Sequence, residues 1–350
     1  MMIRKEKQAF MVLLILGLLS SELAIQGQVI CPPAEHPTSV HVPSDAIIRQ
    51  GIRTIGNGQQ ETKNYSALLL DLKNWFNGQP LVAFASLIRT TMTVKFIDGS
   101  YTVIMDAFAD EKEQMPDTPS LIFHHRGAEA SNNTAVILNP FEYLYGHQQC
   151  NRIIATLLRH DYRLEYLANE AVDLSYLRHN LTADIVYMDT HAGYFDLNGD
   201  QQADAVVIAT GEPWTNDTEQ NYEFEYQHQL IVKGMVGDRG FVTFTPAFIE
   251  YYYSPGGFTN SLIYMATCYA TYDASMAQVF LDAGASTYMG WTKNTMFWTN
   301  SRTSVNAFRL LACGCTVQQV CTLIRFGGVY NRVFHSKLVY YGAGDHRIPT

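Results

Sequence analysis

From about residue 133 onward, short apolar runs that are typical of β-strands alternate with helical patterns. The strand-like runs lie at residues 135–138, 164–167, 185–188, 205–209, 262–265 and 287–290. Between them, residues 153–158 carry an apolar stripe at helical spacing, and Asp273 can cap a helix that Gly284 ends. Strands that are apolar on both faces and alternate with helices predict a mainly parallel sheet covered on both sides. The predicted fold class is therefore α/β, a three-layer sandwich with a mainly parallel central sheet.

Residues 28–132 have a different pattern, with polar, glycine-containing stretches around two β-rich runs at 92–97 and 101–105. An Asp-Gly pair joins these runs, and such a pair between two strands is a strong hairpin signal. We expect a small β-containing N-terminal region, either an accessory subdomain or a pro-region, in front of an α/β domain at 133–350.

Residues 1–27 predict a signal peptide. Arg4, Lys5 and Lys7 precede an apolar run at 10–19, and small or polar residues follow it. The run has about ten residues, whereas a helix that spans a bilayer needs about twenty. No later stretch is long and apolar enough to cross a membrane, so we expect a secreted or extracytoplasmic protein without a membrane span.

The charge balance argues against a nucleic-acid partner. The formal net charge is −9, and no cluster of Lys or Arg occurs outside the N-terminal end. Nucleic-acid binding needs a basic surface, so we expect none here.

Cysteines are the next constraint, because disulfides are the default outside the cytosol. The six cysteines lie beyond the predicted cleavage site, at Cys31, Cys150, Cys268, Cys313, Cys315 and Cys321. A bridge from Cys321 to Cys313 or Cys315 fits their proximity in sequence, although the sequence does not fix the connectivity. If one cysteine is a catalytic thiol, the odd remainder leaves at least one more unpaired.

Two of the strand-like runs end in reactive residues. The run that begins at 184 stops at His191, and the run that begins at 261 stops at Cys268. The functional residues of open α/β sheets lie at the carboxyl ends of the strands. If these two strands are neighbours in the sheet, the imidazole and the thiol lie side by side. A cysteine nucleophile needs that arrangement. We also expect the helix that begins near Asp273 to favour the thiolate through its N-terminal dipole.

These two blocks resemble the signature of the clan CD cysteine peptidases, which include caspases, metacaspases, legumain, clostripain and gingipains. Residues 135–170 resemble the opening β-α-β unit of such domains. Residues 275–291 resemble the helix and strand that follow the cysteine in gingipain-like members, and Leu338–Gly342 resembles the closing strand. The resemblance covers residues 133–345 and implies a caspase-like peptidase domain.

The resemblance also implies roles for these residues. His191 would assist the attack and protonate the leaving amine, and Cys268 would form the acyl-enzyme. Backbone amides of Cys268, Ala192 and Gly193 would bind the oxyanion. The substrates would be proteins or peptides, and the chemistry would require no cofactor.

The chain departs from the family pattern at two positions. Ala192, not glycine, directly follows the histidine, and Gly193 comes one place later. Metacaspases and clostripain carry an aspartate two positions before the cysteine, where it reads a basic substrate side chain, but this chain has Ala266. A basic preference is therefore one option among several. By resemblance, Asp273 and Trp291 would help to bind the substrate side chain, the first through its charge and the second as an apolar wall.

A polar loop shortly after His191 is a candidate calcium site. Its oxygen ligands alternate along the chain, at Asp196, Asn198, Asp200 and Asp204. An EF-hand would have glycine and glutamate where this loop has Gln201 and Val207. A polar turn between two strands is the other interpretation.

The function that these observations predict is a secreted cysteine endopeptidase with a Cys268–His191 dyad. Two alternatives stay open. One is a caspase-fold scaffold or interaction module without activity. The other is a calcium-dependent surface-binding protein in which Cys268 is structural, because a cysteine at the end of an apolar strand is commonly a packed core residue.

Overall fold

The computed structural model describes residues 44–59, 64–108, 123–125, 132–333 and 335–349. The predicted signal peptide and Cys31 lie outside these residues. The described chain is a mixed α/β structure with two sheets of seven strands each.

The strands, in chain order, are β1 (Val82–Ile88), β2 (Thr91–Phe96), β3 (Tyr101–Asp106), β4 (Phe123–His125), β5 (Thr134–Asn139), β6 (Arg163–Ala168), β7 (Ile185–Asp189), β8 (Ala192–Phe195), β9 (Ala205–Pro213), β10 (Ile231–Val236), β11 (Arg239–Phe244), β12 (Leu262–Ala266), β13 (Thr287–Trp291) and β14 (Leu338–Gly342). The α-helices are α1 (Ser44–Gln59), α2 (Tyr65–Asn77), α3 (Glu142–Tyr145), α4 (Gln148–Leu158), α5 (Leu174–His179), α6 (Thr218–Asn221), α7 (Glu223–Gln227), α8 (Pro246–Tyr252), α9 (Ser275–Asp282), α10 (Phe297–Ala312), α11 (Val317–Leu323) and α12 (Val329–Val333).

The first sheet, here called sheet I, has the strand order β14-β13-β12-β7-β5-β6-β4. Its central strands β13, β12, β7, β5 and β6 are parallel, and β14 and β4 pair antiparallel at the two edges. The sequence predicted these parallel strands, because each is a short run with no polar alternation.

Sheet I carries a hydrophobic core on each face. Along β7, Ile185 and Tyr187 pack on one side with α4, α10 and α11. Val186 and Met188 pack on the other side with α5, α8, α9 and part of the second sheet. Strands whose two faces are both buried explain the continuous apolar runs in the sequence.

The second sheet, sheet II, has the order β1-β2-β3-β10-β11-β9-β8. All of its pairs are antiparallel except β3 with β10. The β2–β3 hairpin predicted at the Asp-Gly pair is confirmed, and Gly99 has a φ of 90° there, which glycine tolerates without strain. The prediction that residues 205–209 belong to the parallel sheet is wrong, since β9 lies in sheet II.

The N-terminal strands and a later part of the chain build sheet II together. β3 pairs with β10, which follows it by more than a hundred residues, so the N-terminal region shares hydrogen bonds with the rest of the molecule. This region also contains α1 and α2, which pack on β2 and β3 through an apolar core. The local sequence pattern predicts the β2–β3 hairpin, but it does not show that the distant strand β10 pairs with β3.

The five cysteines in the described residues are free thiols. The Cys321 sulfur lies 3.6 Å from the Met289 sulfur in a core of sheet I, whereas Cys313 is exposed. The expected bridge from Cys321 to Cys313 or Cys315 is therefore wrong. In the part of the chain that the structure describes, no helix has both the length and the apolar character to span a membrane.

Candidate active site

The ends of β7 and β12 bring His191 and Cys268 together. The two strands are adjacent and parallel, and their last paired residues are Asp189 and Ala266. Continuing that register by two residues sets Cys268 opposite His191. Both side chains are partly exposed and line one cavity of about 280 Å³ at the carboxyl ends of these strands.

The His191 ring is held by two aromatic side chains. Its Nε2 atom lies 2.7 Å from the phenol oxygen of Tyr145, and the ring of Phe141 meets it edge-on at 4.7 Å between centroids. Tyr145 ends α3, directly after β5, and its ring stacks on Phe297 at 4.5 Å. Nε2 is therefore engaged by Tyr145, and Nδ1 is the ring nitrogen left for proton transfer.

Burial lowers the pKa of His191 below its ordinary value, and the carboxylate of Asp106 acts in the opposite direction. An imidazole with a lowered pKa is neutral at pH 7, so His191 can accept a proton. Asp106 is half-buried at the end of β3 and lines the same cavity. Its charge favours the imidazolium that would form after proton transfer.

Burial raises the pKa of the Cys268 thiol to about 11, and the carboxylates of Asp106 and Asp189 act in the same direction. The amide of Thr295 donates to the Cys268 sulfur at 3.3 Å, which opposes this rise. The resting sulfur is therefore a neutral thiol, contrary to the expected thiolate. The positive end of the α9 dipole, which was expected to favour the thiolate, is already balanced by Asp273. This residue accepts a hydrogen bond from the Ser275 amide at 2.8 Å.

A sharp turn follows Cys268. Tyr269 has a φ of 60°, a conformation that side chains other than glycine rarely adopt. Its ring is buried and packs against the ring of Tyr194 at 4.7 Å between centroids, which holds the turn in place. Backbone strain that is held by packing concentrates at functional sites, and here it ends the strand at the thiol.

A network of hydrogen bonds forms one side of the cavity. Asn300 donates from Nδ2 to Asp189 Oδ1 at 2.9 Å and to the carbonyl of Ala266 at 2.8 Å. Trp291 donates from Nε1 to Asn300 Oδ1 at 2.8 Å. Asp189, Asn300 and Ala266 line the cavity, whereas Trp291 is fully buried behind them. Trp291 orients Asn300 and does not form the expected wall of the substrate pocket.

Two other expected site residues lie outside the cavity lining. Asp273 is half-buried at the start of α9, where it accepts a backbone amide. Gly193 lies in β8, where an added Cβ would come within 2.8 Å of both Met105 and Thr91. The absence of a side chain at this position therefore allows the neighbouring strands to pack closely. Ala192, by contrast, lines the cavity beside His191.

The N-terminal region supplies part of the cavity wall, which the sequence did not predict. Tyr65, Thr90 and Asp106 all line the cavity. The Tyr65 hydroxyl donates to Asp106 at 3.1 Å, and Asn294 Nδ2 donates to Thr90 at 3.1 Å. These residues carry no local motif, and only the β3–β10 pairing brings them to the strand ends of sheet I.

The candidate calcium loop forms a set of turns. Asp196 is fully buried and accepts amides from Gly199 at 2.6 Å and Gln201 at 2.9 Å, while Asp204 accepts the Leu197 amide at 2.7 Å. Asn198 and Asp200 accept later amides of the same loop. Among the described residues, no group of three His, Cys, Asp or Glu side chains is arranged to hold a metal ion. Calcium binding by this loop stays a prediction.

No family model matches the chain, and no curated protein is similar to it in sequence.

Proposed function

We propose that this chain is a cysteine endopeptidase in which Cys268 is the nucleophile and His191 its general base. The observation that carries the proposal is the register of β7 and β12, which sets the two residues opposite each other at one cavity. A thiol and a neutral imidazole at such a position are what nucleophilic attack on a peptide carbonyl requires.

We propose in addition that sheet I and its helices are a caspase-like domain. The resemblance predicts an opening β-α-β unit, a helix and strand after the cysteine, and a closing strand. The described elements β5-α4-β6, α9-β13 and β14 occur at these places in the chain. They support the assignment through their order and their strand directions.

The first chemical step follows from the neutral resting pair. With the His191 proton on Nε2, where it is donated to the Tyr145 oxygen, Nδ1 is free to accept. As Sγ of Cys268 attacks the carbonyl carbon, its proton passes to Nδ1 and a pair of electrons moves to the carbonyl oxygen. Asp106 then stabilises the new imidazolium, because its negative charge opposes the effect of burial on that ring.

The remaining steps use the same groups. The backbone amides of Cys268 and Ala192 are the donors that we assign to the oxyanion. The imidazolium protonates the leaving amine as the C–N bond breaks, which leaves an acyl group on sulfur. A water molecule, deprotonated by His191, then attacks the acyl carbon and restores the thiol.

One observation favours a second candidate function, a caspase-fold module without activity. The pKa of Cys268 is raised to about 11, so the thiol carries almost no charge at rest. An activated cysteine commonly has a lowered pKa. The two candidates differ in a measurable way, because only the peptidase turns over substrate.

Hydrolysis of a peptide library by the mature protein tests the proposal. Cys268→Ala and His191→Ala should each lower the rate about 10³-fold or more, since the two residues act as one unit. The matched control is Cys313→Ala, which removes an exposed thiol and should leave the rate unchanged. Equal hydrolysis by wild type and Cys268→Ala would overturn the proposal.

The proposed site of action is outside the cytosol, on the basis of the charged, apolar and small-residue order of residues 1–27. N-terminal sequencing of the exported protein tests this assignment. A mature N-terminus at residue 28 is the expected result, and an intact Met1 would contradict it.

A further inference from the structure

The part of the chain after α9 has a charge opposite to that of the whole protein. Residues 283–344 contain six Lys or Arg and no Asp or Glu, whereas the whole chain has a formal net charge of −9. These residues form β13, α10, α11, α12 and β14. Basic charge that is collected in one part of an acidic chain indicates a surface for an anionic partner.

Three of these basic residues lie close together at the start of α10. The loop between α11 and α12 packs on this helix so closely that a Cβ added at Gly327 would overlap the hydroxyl of Thr303. Arg302 precedes that threonine and is exposed, and Arg325 and Arg332 are exposed on the two sides of the loop. The salt bridges of the described residues include none of the three arginines, so their charges are available to a partner.

Four large apolar side chains adjoin these arginines. Trp298, Leu323, Val329 and Val333 are between 63% and 80% exposed. The tryptophan lies one turn before the exposed arginine of α10, and the other three lie in the segment that carries the other two arginines. Single exposed apolar residues are ordinary, but several that adjoin each other mark an interaction site. The four apolar residues and the three arginines are here called the α12 surface.

The α12 surface is anchored beside the cavity. Asn331 lies on the face of α12 opposite the two exposed valines, and it is fully buried. Its Nδ2 atom donates to Thr295 Oγ1 at 2.9 Å. Thr295 lines the cavity, as does Phe297, which directly precedes Trp298. The exposure of the valines therefore follows from the fold, since the opposite side of their helix is bonded to the rest of the protein.

We propose that the α12 surface binds a membrane that contains anionic phospholipids. The three guanidinium groups contact lipid phosphates and carboxylates, and the four apolar side chains enter the region between the headgroups and the acyl chains. Trp298 suits this position, because tryptophan is enriched at the level of the headgroups. A lipid surface adapts to side chains that project from a protein, whereas a folded partner needs a matching shape.

The local charge determines the sign of this interaction, although the chain as a whole is acidic. In 0.1 M salt the Debye length is about 10 Å, so acidic groups on the far side of the protein are largely screened from the membrane. Each arginine close to an anionic membrane contributes about fivefold to the partition constant.

Co-sedimentation with vesicles tests the inference. The protein is mixed with vesicles of phosphatidylcholine alone, or of phosphatidylcholine with about one third phosphatidylserine, in low and in high salt. We expect a partition constant at least ten times higher for the anionic vesicles, and a fall in that constant as salt screens the charges. Equal binding to the two kinds of vesicle, or binding to neither, would overturn the inference.

One pair of double variants tests the charges. Arg325→Gln with Arg332→Gln should lower the partition constant for anionic vesicles about 10- to 30-fold, because two of the arginine contributions are lost. The matched control is Arg49→Gln with Arg159→Gln, which changes exposed arginines in α1 and at the end of α4 and should leave the constant unchanged.

A second pair tests the apolar residues. Leu323→Ser with Val329→Ser should lower the same constant at least tenfold, because apolar area is no longer removed from water. The matched control is Leu70→Ser with Ile97→Ser at two residues that are each 51% exposed. If both test variants bind as their controls do, the α12 surface is not the binding site.

A fluorescence measurement on the wild type keeps the test independent of whether the variants fold. The other three tryptophans are buried or half-buried, whereas Trp298 is 65% exposed. Lipids with brominated acyl chains should therefore quench part of the tryptophan emission of the bound protein, and Trp298→Phe should remove that part. Sedimentation of the wild type without any quenching would overturn the inference.

A soluble polymer separates a membrane from an acidic protein partner. If polyglutamate displaces the protein from vesicles and Leu323→Ser with Val329→Ser binds normally, the partner is a soluble acidic chain and the membrane inference falls. Cys268→Ala should bind the vesicles as the wild type does, so the result does not depend on the proposed peptidase function. We expect polyglutamate to displace little of the protein, because it offers no apolar region for the four exposed side chains.

Discussion

The phenol oxygen of Tyr145 lies 2.7 Å from Nε2 of His191, on the side of the imidazole away from the nitrogen that we assign to proton transfer. We assign Nε2 as the donor and the Tyr145 oxygen as the acceptor of this contact, and this assignment leaves Nδ1 to accept a proton from sulfur. In the proposed mechanism Tyr145 is thus a positioning residue, which acts through His191.

Tyr145→Phe should lower kcat by about tenfold and leave KM nearly unchanged, because one hydrogen bond to the reacting imidazole is lost. The acid limb of the kcat profile should also move to lower pH, since the imidazolium loses an acceptor. The measurement is kcat and KM from pH 5 to 9, with Tyr251→Phe at an exposed tyrosine as the control. A fall in kcat without any movement of the acid limb would mean that Tyr145 acts only through packing.

Cys268 should react slowly with iodoacetamide at pH 7. Its pKa of about 11 leaves only a small thiolate fraction, and that fraction rises about tenfold with each pH unit up to the pKa. The measurement is the rate of alkylation at Cys268 from pH 6 to 10, followed by peptide mass spectrometry, which resolves it from the other thiols. A rate that reaches its plateau below pH 7 would show a resting thiolate and contradict the neutral pair.

The strands of sheet I and the placement of His191 and Cys268 were predictable, because each rests on a short apolar run and on the residue that ends it. The role of Trp291 was not. Side chains alternate between faces along a strand, so a one-residue change of register decides between cavity and core. Trp291 shares the face of Met289 in β13 and is buried in the same core.

Asp106 and Tyr145 are two residues of the cavity that the sequence did not predict. Asp106 reaches the cavity only because β3 pairs with β10, and Tyr145 does so only because β5 lies beside β7. Pairing between distant segments depends on packing across the whole chain, which a local pattern does not carry. For Asp189, the sequence shows an aspartate at a strand end but cannot distinguish a buried carboxyl from a solvated one.

The stability of the folded protein should fall as the pH rises from about 4 to about 7. Burial raises the pKa of Asp189 to about 7, so the folded state keeps a proton that the unfolded chain releases near pH 4. In this window the folded state binds more protons, and the free energy of unfolding decreases as pH rises. Asp189→Asn cannot lose this proton, so the Tm of wild type relative to the variant should fall between pH 4.5 and 7.5. If the Tm values of wild type and Asp189→Asn change by the same amount over this pH range, the assignment of a buried, partly protonated carboxyl is contradicted.

Gly193→Ala should destabilise the protein by about 1–3 kcal/mol. The added methyl group would lie 2.8 Å from Met105 and from Thr91, so one of the strands must move. The measurement is the urea midpoint of the variant, with Ala192→Gly as the neighbouring comparison. A normal midpoint together with a large loss of kcat would instead assign Gly193 to the oxyanion site.

The most direct test of the central claim is a covalent trap for a thiol beside a bound carbonyl. A set of peptidyl acyloxymethyl ketones that differ in the residue next to the reactive group is incubated with the protein, and the adduct is located by peptide mass spectrometry. The account predicts a single adduct on Cys268 that a competing peptide substrate prevents and that forms at least ten times more slowly in His191→Ala. Labelling that follows thiol exposure, with the exposed Cys313 modified first and Cys268 unmodified, would contradict it.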